Sequence, residues 1–120
     1  MIDTMDGIME EQMYDWQIDA TIAVIGGKWK PFIIYELNDE TLRFNQLLDR
    51  LQPRITQRML TKQLRELEKD GLITRKVYTQ VPPKVEYSLT ELGKSLMPIL
   101  DQLCEWGTEH MGERIRYKCE

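Results

Sequence analysis

A helix with two distinct faces is predicted over residues 55–71, and it constrains the fold more than any other segment. At about 100° per residue, one face carries three leucines: Leu60, Leu64 and Leu67. The opposite face carries polar and basic side chains: Arg58, Thr61, Lys62, Arg65 and Lys69. The two acids of the segment, Glu66 and Glu68, project to the flanks rather than into this basic stripe. The apolar face therefore predicts a place in the core, and the basic face predicts contact with DNA.

A short hairpin is predicted directly after this helix. Gly71 is a natural C-cap, and residues 73–78 and 85–89 are rich in β-branched and aromatic side chains. In the second strand, Val85, Tyr87 and Leu89 alternate with Glu86 and Ser88, which is typical of a strand with one buried face. A basic helix followed by a hairpin predicts a winged helix-turn-helix, a mainly α fold with a small β-hairpin (α+β).

Three earlier helices are predicted from apolar spacing. Residues 16–25 place Ile18, Ile22 and Ile25 on one face. Residues 28–37 point four side chains inward, with a proline in the first turn, where it is tolerated: Trp29, Phe32, Ile33 and Leu37. Residues 38–41 form a polar turn, and residues 44–51 repeat apolar side chains at helical spacing: Phe44, Leu47, Leu48 and Leu51. Pro53 then lies in the turn to the basic helix, which Thr56 is placed to cap.

A last helix is predicted from the cap residue Thr90, with Pro98 kinking or breaking it. Its apolar stripe is long: Leu92, Leu96, Ile99, Leu100, Leu103 and Trp106. The first and last helices expose more apolar surface than a small core needs, so part of it is expected to bury against a second subunit. The 120 residues predict one domain over 16–112 with extra N- and C-terminal dimerisation helices, between a mobile acidic tail (1–15) and a C-terminal tail (113–120).

Lys and Arg are concentrated in the middle of the chain, although the formal net charge is −4. Residues 1–27 hold six acids and no Lys or Arg, residues 28–84 hold twelve bases and seven acids, and residues 85–120 hold four bases and seven acids. Phosphate responds to local potential rather than to net charge. The acidic N-terminus is unlike a secretory signal, and no apolar run approaches the roughly 18 residues of a membrane span. The expected location is the cytoplasm.

Metal, cofactor and enzyme chemistry have little support in the sequence. Cys104, His110 and Cys119 are too few and too widely spaced for a structural zinc site. Cys104 is expected to be a small buried hydrophobe, and Cys119 is expected to be exposed. Cys104 and His110 would lie on different faces of one helix, out of reach for a nucleophile and its base. The sequence predicts no catalytic residue, no metal ligand and no cofactor.

The predicted DNA-binding residues fall into two groups. Five on the basic helix have side chains suited to base edges: Gln57, Arg58, Thr61, Lys62 and Arg65. Three lie at a helix entry, in the turn and at the wing base, where loops approach phosphate: Arg43, Arg54 and Lys84. Lys69 is expected to be solvated. The prolines at 82 and 83 either stiffen the wing tip or only terminate the strands, and both tryptophans Trp29 and Trp106 are expected to pack.

In the order in which these residues occur along the sequence, the chain resembles the HxlR-type winged helix-turn-helix transcriptional regulators of bacteria. The matching stretches are Ile25-Gly-Gly-Lys-Trp29, Arg43-Phe-Asn-Gln-Leu47, Ile55-Thr-Gln-Arg-Met-Leu60, Leu64-Arg-Glu-Leu-Glu-Lys-Asp-Gly-Leu-Ile73, Val81-Pro-Pro-Lys-Val-Glu-Tyr-Ser-Leu-Thr-Glu-Leu-Gly93 and Glu105-Trp-Gly107. The resemblance implies a homodimer, held by the terminal helices, that binds a pseudo-palindromic operator and represses or activates a nearby gene. Some members carry a sensing Cys just before the first helix. This chain has Trp16 there, so a small-molecule effector, or none, remains open.

A second hypothesis is a winged helix that binds proteins and no longer reads DNA. Protein-binding faces usually carry apolar or aromatic anchors, whereas the stripe of the basic helix is polar at each of its five positions. The sequence therefore favours DNA.

Overall fold

The structure, a computed structural model, describes residues 12–116. The helices are α1 (Gln17–Ile25), α2 (Lys30–Glu36), α3 (Phe44–Leu51), α4 (Gln57–Lys69), α5 (Glu91–Lys94) and α6 (Met97–Met111), with a 3-10 turn at Gly112–Arg114. The strands are β1 (Leu42–Arg43), β2 (Ile73–Tyr78) and β3 (Lys84–Leu89), in one antiparallel sheet of order β1-β3-β2. The predicted α+β winged helix-turn-helix is confirmed. No helix within the described residues is long and apolar enough to span a membrane.

The helix-turn-helix consists of α3, which has the predicted bounds, and α4, which lies within the predicted segment 55–71 and has the predicted buried face. α3 begins at Phe44 and ends at Leu51, and Leu47 and Leu51 are buried. The Thr56 hydroxyl caps α4 by accepting a hydrogen bond from the Met59 backbone N–H at 3.1 Å, which satisfies one of the free donors of the first turn. Leu60, Leu64 and Leu67 lie in the core beneath α4, and its other faces remain at the surface.

α2 differs from the sequence prediction in its start and in its inward face. It begins at Lys30, with Pro31 in its first turn, rather than at residue 28. Phe32 was expected to point inward, but 41% of it is exposed, whereas Ile33 and Ile34 are fully buried. The prediction for Phe32 is wrong because the buried arc of α2 is centred on the two isoleucines. The guanidinium carbon of Arg54 lies 5.6 Å from the Phe32 ring centroid and covers part of the ring.

The sheet contains one strand that the sequence analysis missed. β2 and β3 form the predicted hairpin, with Ile73 opposite Leu89 and Tyr78 opposite Lys84. β1 is only two residues long and pairs with Tyr87 and Glu86 of β3. Two residues show no periodicity, so residues 42–43 were assigned to no element, between the polar turn predicted at 38–41 and the helix predicted at 44–51. Its pairing ties the start of α3 to the wing formed by β2 and β3.

The C-terminal helix is broken close to Pro98, as predicted. α5 ends at Lys94, and Pro98 lies in the first turn of α6. A backbone N–H at this position has no partner within the helix, so its absence in proline costs no hydrogen bond. Only part of the predicted apolar stripe is buried: Leu96 and Leu100 lie in the core. The remaining members of the stripe are exposed: Leu92, Ile99, Leu103 and Trp106.

Contacts between α2 and α6 hold the C-terminal helix to the core. The Tyr35 hydroxyl donates to Asp101 Oδ1 at 2.8 Å and lies 3.2 Å from Cys104 Sγ. Burial is the main cause that raises the pKa of Tyr35 to about 12, and the hydrogen bond to Asp101 acts in the same direction. Cys104 is half-buried and disulfide-bonded, so the prediction of a small buried hydrophobe is wrong, because this position on α6 lies at the edge of the core. Cys119 lies outside the described residues.

The predicted tails are described only in part. Residues 1–11 of the N-terminal tail and residues 117–120 of the C-terminal tail lie outside the described residues. Residues 12–16 precede α1, and the 3-10 turn at Gly112–Arg114 spans the predicted boundary at residue 112. The two boundaries between the three predicted segments stay predictions.

We expect Gly93→Ala to destabilise the fold, because a Cβ at this buried position in α5 would collide with the backbone oxygen of Leu72. The backbone shift needed to relieve such an overlap typically costs about 1–3 kcal/mol. Urea unfolding followed by circular dichroism measures the change. Lys94→Ala, at the exposed neighbouring position, is the control and should alter stability by less than about 0.5 kcal/mol. Equal stabilities of the two variants would contradict the close approach of α5 to Leu72.

Candidate nucleic-acid interface

The exposed face of α4 brings together the five residues predicted to contact bases. Gln57, Arg58, Lys62 and Arg65 are exposed and Thr61 is half-buried. Together with Glu66, these five residues line an open concavity of about 810 Å³. Since the opposite face of α4 is buried, the helix cannot turn this surface away without exposing its leucines.

Thr61 has a more restricted role than its side chain alone suggests. Its hydroxyl donates to the backbone carbonyl of Gln57 at 2.9 Å, one turn earlier in α4. The proton of the hydroxyl is therefore used within the helix. What Thr61 presents outward is its methyl group and the acceptor lone pairs of its oxygen, which suit a thymine methyl or an amino group of a base.

Glu66 borders the basic face and forms an ion pair that the sequence analysis missed. Its Oε1 lies 2.9 Å from Nζ of Lys30, at the start of α2. The hydrogen bond from Lys30 holds the pKa of Glu66 below its usual range, and the charges of Lys62 and Lys69 act in the same direction. The sequence placed Lys30 in a helix without a role, since a pair between residues 36 positions apart leaves no periodic signal.

The three predicted phosphate contacts occupy two places. Arg43 and Lys84 line one groove of about 470 Å³ between the start of α3 and the wing tip, which carries Pro82 and Pro83. Arg54 lies in the turn between α3 and α4, over the Phe32 ring. Arg43 is exposed, and its backbone N–H donates to Gln46 Oε1 at 2.8 Å.

Lys84 is held by neighbouring groups of the wing. Its Nζ lies 3.3 Å from Glu86 Oε2 and 4.7 Å from the centroid of the Tyr78 ring. The Tyr78 hydroxyl donates to Glu86 Oε1 at 2.8 Å. This hydrogen bond lowers the pKa of Glu86, and the hydrogen bond from Lys84 lowers it further. Glu86 therefore offsets part of the charge of Lys84.

Two basic residues of β2 join the interface and were missed. Arg75 lines a concavity of about 270 Å³ with Thr61 and Arg65 of α4, so it extends the basic face of that helix toward the sheet. Lys76 places its ammonium 4.9 Å from the Tyr78 ring centroid, on the wing. A strand rich in β-branched and aromatic side chains was predicted here, and its two adjacent basic residues were the signal that could have identified both.

The remaining candidates divide into core and surface. Trp29 is buried, as predicted, whereas 59% of Trp106 is exposed. The predicted packing of Trp106 is therefore incomplete within the described chain, where its ring lies tilted by 41° to the ring of His110 at a centroid distance of 4.8 Å. Lys69 is exposed at the last turn of α4, where solvation was predicted. Among residues 12–116, no group of three or more His, Cys, Asp or Glu is arranged to hold a metal ion.

Comparison with known proteins agrees with this geometry. Residues 24–115 match the family model for the HxlR-like helix-turn-helix. The HTH-type transcriptional regulator YtcD of Bacillus subtilis (strain 168) is 56% identical over 103 residues, which cover 86% of this chain and 81% of the relative.

Solved structures agree with the fold over most of the chain. A crystal structure of a putative HTH-type transcriptional regulator ytcD has a TM-score of 0.73 at 56% identity, covering 81% of this chain and 98% of that one. The redox regulator HypR in its reduced form has a TM-score of 0.73 at 54% identity, covering 82% of this chain and 98% of that one. These relatives are transcriptional regulators and not enzymes. With an exposed basic helix in a helix-turn-helix, a hairpin wing and this similarity, the chain belongs to the HxlR-like helix-turn-helix family of transcriptional regulators.

Proposed function

We propose that two copies of this chain bind a pseudo-palindromic DNA operator in the cytoplasm and regulate transcription of a nearby gene. The observation that carries the proposal is the basic face of α4, which is exposed while the leucine face of the same helix is buried. B-DNA admits one helix into its major groove. α4 is then the recognition helix.

Within the groove, the arginines of α4 are suited to guanine and its glutamine to adenine. Arg58 and Arg65 each present a fork of donors that matches the O6 and N7 acceptors of guanine. Gln57, in the first turn of α4, has the donor and acceptor pair that matches adenine. Thr61 offers its methyl group, because its hydroxyl proton is bonded to the Gln57 carbonyl.

The loops on either side of α4 supply phosphate contacts in this proposal. Arg54 precedes α4 in the turn, and Arg43 lies at the groove between α3 and the wing. Lys84 supports the wing through Tyr78 and Glu86 and adds a weaker attraction. Contacts of this kind fix orientation and register, whereas contacts to base edges supply specificity.

Dimerisation is supported by apolar side chains that the described chain leaves uncovered. On α1, Ile18 and Ile22 are mostly exposed, and on α6, Ile99, Leu103 and Trp106 follow at helical spacing. Both helices pack on α2, so a second copy that covered them would join the two cores. In such a dimer the two α4 helices enter successive major grooves about 34 Å apart. A small-molecule effector, where one acts, would bind at this seam.

We expect the purified protein to bind the DNA that flanks its own gene more tightly than an unrelated duplex. Fluorescence anisotropy across a salt series measures both affinities. Because each neutralised phosphate releases counterions, log K should fall linearly with log salt, with a slope of roughly −0.9 per phosphate contact. Equal weak binding to both duplexes would contradict a local operator. Absence of binding to either duplex at low salt would favour the protein-interaction module.

We expect Arg58→Ala combined with Arg65→Ala to abolish the preference for the operator. Each bidentate arginine contact contributes about 1–3 kcal/mol of discrimination, so the specific affinity should fall at least about thirtyfold. The matched control is Arg114→Ala with Arg116→Ala, which removes the same charge from exposed positions beyond α6. Operator affinity that falls equally in both double variants would assign the effect to net charge rather than to α4.

We expect Leu103→Glu to convert a dimer to a folded monomer, because a carboxylate would be buried in the proposed seam at a large desolvation cost. Size-exclusion chromatography with light scattering measures the mass. A monomer contacts only one half-site, so its affinity for the operator should be roughly 10²- to 10⁴-fold lower. Val77→Glu adds the same charge at an exposed valine on β2, and its mass should equal that of the wild type. A wild-type protein that is monomeric at micromolar concentration would exclude the homodimer.

A further inference from the structure

Lys30 is the one charged residue within residues 12–116 that is buried, with 7% of its surface exposed. Its ammonium lies 2.9 Å from Glu66 Oε1 and 3.5 Å from the backbone carbonyl oxygen of Ala23. A lysine is rarely buried unless it is paired, because removing its charge from water is costly. An exposed ion pair or an apolar side chain would serve stability as well at this position. The burial of Lys30 therefore calls for a role beyond stability.

The position of Glu66 indicates that role. Its side chain is 41% exposed and lines the same concavity as Gln57, Arg58, Lys62 and other members of the basic face. On α4 it lies one helical turn from both Lys62 and Lys69. An unpaired carboxylate here would repel the phosphates that the neighbouring side chains attract. The low pKa of Glu66 means that protonation does not remove its charge near neutral pH.

Lys30 approaches Glu66 from beneath the surface rather than from solvent. It belongs to the first turn of α2, and its second acceptor, Ala23, belongs to the last turn of α1. The ammonium thus contacts both α1 and α4 while it remains enclosed. A buried cation has few rotamers and is screened little by salt. It neutralises Glu66 without occupying space on the surface that faces DNA.

We propose that Lys30 is a positioning residue for DNA binding, whose buried ammonium holds the Glu66 carboxylate in an ion pair and cancels its charge, so that α4 presents an unopposed positive face to phosphate. The inference rests on the proposed function of α4 as the recognition helix. It adds a residue that touches no DNA and lies in another helix.

The test measures operator affinity and its salt dependence for four proteins: wild type, Lys30→Met, Glu66→Gln and Lys30→Met/Glu66→Gln. The double variant has the net charge of the wild type, so the comparison is free of a change in overall charge. Lys30→Met should lower affinity about five- to tenfold at low salt, because one unpaired charge lies within about 10 Å of phosphate. The deficit should shrink as salt rises above about 0.1 M, where the Debye length falls below about 10 Å. Adding Glu66→Gln should restore affinity to within about twofold of the wild type.

Lys94→Met is the matched control, since it removes the lysine of an exposed ion pair with Glu91 on α5 and should leave operator affinity within about twofold of wild type. Circular dichroism confirms that each variant folds. If Lys30→Met does not fold, Lys30→Gln replaces it, because its amide keeps a hydrogen-bond donor at this buried position but carries no charge.

The outcomes separate this inference from the function on which it rests. A deficit of Lys30→Met that is independent of salt, or that Glu66→Gln does not reverse, would overturn the inference and leave a structural role. Wild-type affinity in Lys30→Met would overturn it as well, while specific binding by the wild type would leave the proposed function standing. A wild-type protein without preference for any duplex would end both proposals together.

Discussion

Burial of the leucine face of α4 is the interaction on which the rest of the structure depends. Leu60, Leu64 and Leu67 lie in the core beneath the helix. A buried leucine contributes roughly 2–3 kcal/mol of transfer free energy, so rotating α4 by a quarter turn would expose much of this area at a cost near the whole stability of a small domain. The same burial determines which side chains point outward. The core therefore fixes the orientation of the basic face as firmly as it fixes the fold.

The parts of the structure that follow from local periodicity could be predicted from the sequence. α3, α4 and the hairpin have repeats long enough to show one buried face, and their bounds agree with prediction to within a residue or so. β1 could not be predicted, because two residues pair only through the register of β3. Phe32 was misplaced for a related reason. Its spacing from Trp29 and Leu37 fits a helical stripe, but the buried arc of α2 is centred on Ile33 and Ile34. The position of Arg54 in a later turn shows why the Phe32 ring is tolerated near the surface.

The candidate site could likewise be predicted only where its residues are close together in the sequence. The exposed residues of α4 are neighbours in sequence, so one helical projection groups them. Arg75 and Lys30 reach the interface from β2 and α2, and their proximity to α4 exists only after folding. The exposure of Trp106 has a different origin. Its spacing on α6 predicts packing, yet 59% of the side chain is exposed within the described chain, so its full burial requires another surface.

Net charge is a poor guide to this interface, and the structure explains why. The chain carries a formal charge of −4, yet two acids of the candidate interface are engaged by bases: Glu66 of α4 by Lys30 of α2, and Glu86 of the wing by Lys84 and the Tyr78 hydroxyl. Exposed charges more than about 10 Å apart are largely screened at 0.1 M salt, so the field at α4 depends on the charges beside it rather than on the sum over the chain. Ion pairs beside α4 matter far more, and the buried ammonium of Lys30 is the one that solvent screens least.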